Sequence, residues 1–141
     1  GVWPAPPRVD LAAAAATTAP NPLLDGIAEV PALLVVLADL TQLAVLDGGI
    51  GRHSIVGGGS VYPFVQNLLL AARGEGLGGV MTTFLCRRED EARALLGFPR
   101  HVGIAAMLAL GEPVKPVTRL RRRPVEEFAR VDRWDGEPFG A

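Results

Sequence analysis

Four arginines, Arg119, Arg121, Arg122 and Arg123, crowd one short segment, and that density has two readings. One is a solvated charge run, and the other is a clamp for an anion. Guanidinium forks suit phosphate, because their planar N–H pairs can meet two oxygens at once. No aromatic residue interleaves these arginines, as one would in a groove for single-stranded nucleic acid. A second polar group lies at Thr82 and Thr83, beside the Gly78-Gly79 pair that allows close approach. Their hydroxyls and backbone N–H groups would face either a ligand or the sheet.

The remaining reactive side chains are isolated. His53 and His101 have no neighbours at zinc-site spacing. Cys86, followed by Arg87 and Arg88, could be a thiol of lowered pKa, yet no histidine or acid stands where nucleophilic catalysis would need it. The string Gly74-Glu-Gly-Leu-Gly-Gly79 matches a dinucleotide fingerprint in letters only. The fingerprint follows a strand and opens a helix, whereas this string follows a helix and opens a strand. No catalytic residue and no metal ligand is assigned.

These groups need elements to hold them. From Val61 to Ala72 apolar residues fall on every side with only Gln66 and Asn67 between, which predicts a buried helix. Ser60 is its expected N-cap, past the costly Gly57-Gly58-Gly59, and Gly74-Glu75-Gly76 closes it. Val80–Leu85 reads as a strand from its β-branched and aromatic content. Ala32–Ala38 is a continuous apolar run, the pattern of a strand covered on both faces, so a sheet between helices is expected. Glu89, Asp90 and Glu91 open another helix, with Ala92, Leu95 and Leu96 as its buried face and Gly97 and Pro99 ending it. Val102–Leu110 is then a second central strand. Asp10 can cap an alanine-rich helix over Leu11–Ala16, Asn21-Pro22 opens a short turn, and Asp39 can cap Leu40–Leu46. Asp47-Gly48-Gly49 is a turn.

Length and composition set the outer bounds. The chain has 141 residues, 49% of them hydrophobic, enough for about one domain with a sizeable core. A formal net charge of −1 provides no field for nucleic acid or an anionic membrane. No run reaches the roughly 18 apolar residues of a membrane span, since Asp39 and Gln42 interrupt the longest one. A single cysteine fits a reducing compartment, so a cytoplasmic location is expected. The chain begins with Gly and shows no signal peptide, and a fragment or processed chain is the expectation.

Stretches in the order Ser60–Ala72, Gly76-Leu-Gly78, Met81-Thr-Thr83, Leu95-Leu-Gly-Phe-Pro99, Leu110-Gly-Glu-Pro113 and Arg122-Arg-Pro-Val-Glu-Glu127 carry a resemblance. Over Val30 to Trp134 the chain resembles the C-terminal part of the FMN-dependent nitroreductase family. That resemblance implies an α+β fold, a three-layer α-β-α sandwich incomplete at its N-terminus, assembled as an intertwined homodimer with FMN at the interface. It implies a variable extended or helical arm over residues 1–29, a core over 30–113, and a basic arm over 114–141 that packs on a partner subunit. Met81, Thr82 and Thr83 would pass the flavin, with a donor near N5, and Arg121, Arg122 and Arg123 would hold the FMN phosphate.

The activity so implied is ping-pong. NADH or NADPH gives hydride to the flavin and leaves, and a nitroaromatic, quinone or similar electron-poor small molecule then takes electrons. The family's opening Arg-rich segment and its Pro-Ser-x-x-Asn-type loop have no counterpart here. The alternative is a non-catalytic or truncated relative with a flavin-binding or structural role. Neither nucleic acid nor membrane is an expected partner.

Overall fold

In the computed structural model, residues 21–115 and 118–140 are described. The extended arm and the alanine-rich helix expected before Asn21 lie outside them. The described chain opens on a single helical turn, α1 (Pro22–Asp25), where the Asn21 side chain accepts the Leu24 N–H at 3.3 Å. Proline in that first turn loses nothing, because its missing N–H would have had no helical partner. There follow β1 (Ala32–Asp39), α2 (Val61–Gly74), β2 (Gly78–Thr82), α3 (Glu89–Leu96) and β3 (Val102–Gly111).

These make a mixed fold of helices and a small antiparallel sheet ordered β1-β3-β2. The middle strand is thus β3, the longest of the three and the most buried. Ala32 pairs with Leu110 and Asp39 with Val102 on one side, while Gly78 pairs with Gly111 and Thr82 with Met107 on the other. Between Val36, opposite Ala106, and Leu37, opposite Ile104, the register shifts. Ala105 is the extra residue of a β-bulge.

Two small cores result among the described residues. Val36, Val65, Ala106 and Leu108 pack with Val61, Leu68 and Leu69 of α2. Ala92, Phe98 and Ile104 pack with Val35, Leu85 and Cys86. Val35 and Val36 are consecutive, and consecutive strand residues point to opposite faces.

Three details depart from the sequence pattern. β1 is an edge strand with Leu33, Leu34 and Leu37 exposed rather than covered, because α2 packs mainly over β2 and β3 and leaves much of the faces of β1 open. In α3 Ala92 is buried, but Leu95 and Leu96 are exposed. Gly97, at φ +75°, turns the chain so that Phe98 fills the place expected for those leucines. In α2 only Val65 is fully buried, while Tyr62, Phe64 and Leu70 are exposed, since the sheet of this chain covers a single stripe of the helix.

The glycines behave as their spacing suggests. A Cβ on Gly58 would fall 2.5 Å from the Tyr62 ring, so a side chain there would have to displace that ring, and the helix starts beyond it at Val61. Ser60 stands at the N-cap but makes no side-chain cap bond. After the helix Gly76 takes φ +83° and turns the chain into β2. No described helix is long and apolar enough to cross a membrane.

Candidate functional site

β2 is the second edge of the sheet, and its C-terminal end holds the threonines. Thr82 is the last residue to pair, opposite Met107. The strand therefore ends earlier than the expected Leu85. Thr83 leaves the sheet and caps a 3-10 turn over Phe84–Arg88, its carbonyl accepting the Cys86 N–H at 3.1 Å. Thr82 Oγ1 is buried and has no hydrogen-bond partner among the described residues. Such a hydroxyl costs about 1–3 kcal/mol unless something supplies the missing bond. Around it Val80, Met81 and Phe84 are exposed apolar side chains, and Thr83 is exposed as well. The free strand edge, the unpartnered hydroxyl and these exposed apolar side chains thus lie together at one end of the sheet.

The arginines lie on the segment after β3. Arg119, Arg121, Arg122 and Arg123 are all exposed. Arg122 Nη1 donates to the Arg121 carbonyl at 3.4 Å, and neither Arg121 nor Arg122 has an ion-pair partner among the described residues. Arg123 differs from both. Its Nε lies 3.9 Å from Glu127 Oε2, and its guanidinium stands 5.7 Å from the centre of the Phe128 ring. No hydrogen bond or ion pair joins this segment to Met81, Thr82 or Thr83 among the described residues.

Sequence reasoning missed two carboxylates. Asp47, read only as a turn residue, is buried and accepts from Ser54 Oγ at 2.7 Å, the Ile55 N–H at 2.9 Å and Arg52 Nη1 at 2.7 Å. The Ser54 and Ile55 bonds hold its carboxyl far below the usual range. The signal lay in Arg52 and Ser54, which follow the turn at short spacing. Glu89 borders a groove of about 250 Å³ between Ala38, Leu40, Gly58, Tyr62 and Ile104. Its carboxylate is already committed to the Ile104 N–H and to Arg93. Cys86 is also committed: its thiol donates to the Ile104 carbonyl at 3.2 Å, and burial, then the charge of Glu89, pushes its pKa up. A nucleophilic thiol would need the opposite shift.

No family model matches the chain. Among solved structures, NfrA2 of B. megaterium is 24% identical with a TM-score of 0.60, over 77% of this chain and 48% of that one. NfrA1 nitroreductase from B. subtilis is 24% identical with a TM-score of 0.54, over 73% and 46%. The NADPH:FMN oxidoreductase from Vibrio harveyi, solved with NAD+, is 24% identical with a TM-score of 0.55, over 72% and 46%. The chain spans about half the length of each. Over that span its helices and antiparallel sheet have the nitroreductase fold.

Proposed function

We propose that this chain is part of an FMN-dependent NAD(P)H oxidoreductase of the nitroreductase family, acting on a nitroaromatic, quinone or similar electron-poor acceptor. The observation that carries the reading is the buried, unpartnered Thr82 hydroxyl at the end of β2, in a fold shared with NfrA1 nitroreductase and an NADPH:FMN oxidoreductase. FMN bound there would supply the hydride and electron chemistry between donor and acceptor.

This chain's own residues position and orient. Thr82 or Thr83 gives a hydrogen bond to the ring edge, and Met81 packs its exposed side chain on the ring. Arg121 and Arg122 hold the phosphate, with their exposed guanidinium groups unpaired by any carboxylate among the described residues. Arg123 can join them only by leaving Glu127 and Phe128. No side chain is given the part of general acid.

The same reading extends to assembly. Cores built on Val35 and on Val36 support a three-layer arrangement. Exposed Tyr62, Phe64 and Leu70 along α2 support a homodimer, because soluble monomers seldom keep large apolar patches. Residues 114–141 would then be the arm that packs on the partner. The lone thiol of Cys86 supports a cytoplasmic location.

The test is a titration of the purified protein with FMN, followed by NADH and NADPH without oxygen. Binding, then bleaching of the yellow colour, is expected. Protein that stays colourless at high FMN overturns the reading and favours a non-catalytic relative.

A further inference from the structure

β2 stops at Thr82, although Thr83, Phe84 and Leu85 all favour a strand. Thr82 stands opposite Met107, so in an unbroken register Leu85 would stand opposite Ile104. Ile104 is already taken. Its N–H donates to Glu89 Oε2 at 2.8 Å, and its carbonyl accepts from the Cys86 thiol at 3.2 Å. A carboxylate and a thiol thus satisfy both backbone groups of the residue that a continuing strand would have faced.

The competition favours the side chains. A hydrogen bond to a carboxylate is roughly twice as strong as one between neutral groups, so Glu89 outcompetes a backbone carbonyl for the Ile104 N–H. The carboxylate is also held in place. Arg93 Nη2 donates to its other oxygen at 2.8 Å and to the Val102 carbonyl at 3.0 Å, and the Arg93 guanidinium stands 4.9 Å from the centre of the Phe98 ring. The chain therefore leaves the sheet at Thr83, whose carbonyl accepts the Cys86 N–H at 3.1 Å. Thr83 is turned out and exposed, and the buried Thr82 hydroxyl is left without a partner among the described residues.

We propose that Glu89 and Cys86 are positioning residues for the flavin: by occupying Ile104 they end β2 and hold the Thr82–Thr83 corner in the form that receives the ring edge. Neither touches the ring. FMN as the ligand rests on the reading given above, whereas the ending of β2 does not.

In flavin-free protein, backbone chemical shifts over Thr83–Leu85 should move from turn toward strand values in Glu89→Ala and, less far, in Cys86→Ala. Glu89→Gln, whose amide oxygen still accepts the Ile104 N–H, and Cys86→Ser, whose hydroxyl still donates, should keep the turn. Cys86→Ala removes only a weak donor, so it serves if Glu89→Ala does not fold. FMN titration at a temperature where every variant is folded should show about tenfold weaker binding for Glu89→Ala, with riboflavin weakened equally because the phosphate is not involved. A variant carrying both Glu89→Ala and Thr82→Val should lose less than the product of the two single losses, since both changes act on one corner. Unmoved shifts in both alanine variants, or losses that multiply in the double variant, would overturn the assignment. A parent protein that binds no FMN would overturn the flavin reading and with it the ligand, while the chemical shifts still decide whether Glu89 and Cys86 end β2.

Discussion

Glu89 Oε2 accepts the backbone N–H of Ile104 at 2.8 Å, tying the first residue of α3 to the bulged stretch of β3. Its other oxygen accepts from Arg93 Nη2 at 2.8 Å, and the same nitrogen donates to the Val102 carbonyl at 3.0 Å. The Ile104 bond first, then Arg93, lowers the pKa of Glu89. A lowered carboxylate stabilises the fold above its ordinary pKa and loses that effect as pH falls through the folded value. Glu89→Ala should therefore cost about 1.5–3 kcal/mol in urea unfolding at neutral pH, because it strips a buried N–H of a charged acceptor. Glu89→Gln should be less stable than the parent at neutral pH, with the gap closing as pH falls below the ordinary glutamate range.

Thr82→Val keeps the shape of the side chain and removes the unpartnered hydroxyl. Without flavin the variant should be more stable by about 1 kcal/mol, since a buried polar group with no bond is lost. With flavin the sign should reverse, as FMN affinity drops by about tenfold. Unchanged stability and unchanged affinity would make Thr82 a strand filler.

Arg122→Ala separates a phosphate clamp from a solvated charge. Loss of one charge-assisted bond should weaken FMN by about ten- to a hundredfold, while riboflavin, which has no phosphate, hardly changes. Equal losses for both ligands, or none, would remove the assignment.

Cys86 should be slow to alkylate at neutral pH. Its thiol is partly buried, donates to Ile104 and titrates above the ordinary thiol range, so little thiolate is present. Iodoacetamide labelling should lag behind a free cysteine and accelerate as pH rises past that range. Fast labelling at pH 7 would mean that the loop after β2 opens.

Gly79 was legible as a place of close approach, and its neighbours set the magnitude. A Cβ there would lie 2.5 Å from Leu110 Cδ2 and 2.8 Å from Leu69 Cδ2. Gly79→Ala should cost about 1–3 kcal/mol by thermal unfolding, as the Leu69 and Leu110 side chains must both shift from their packed positions.

Elements that depend on local chemistry could be read from the chain alone. The short turn opened by Asn21-Pro22, the turn at Asp47, the start of α2 after its glycines and the end of α3 at Gly97 follow from the residues beside them. Burial could not be read so well, because it depends on what lies opposite. Leu33 and Leu95 have the same apolar character as Leu108, but only Leu108 is packed among Val36, Val65 and Ala106. At the candidate site, Thr82 was found through its glycine neighbours. The hold of Glu89 and Cys86 on Ile104 was not, since those residues lie 15 and 18 positions from it along the chain.

The position of β3 also sets the order in which this chain can acquire its structure during synthesis. Among the described residues β1 has no sheet partner except β3, and Ala32 must wait for Leu110. Until the ribosome has released nearly the whole described core, Leu33, Leu34 and Leu37 have no strand to join. β2 waits on β3 as well, with Gly78 pairing to Gly111. Helix α2 can form early from local bonds, but the long-range closure of the sheet is slow by comparison. From the synthesis of Asp39 until that of Val102 the apolar β1 is therefore left without its sheet partner, an interval in which a chaperone would engage it.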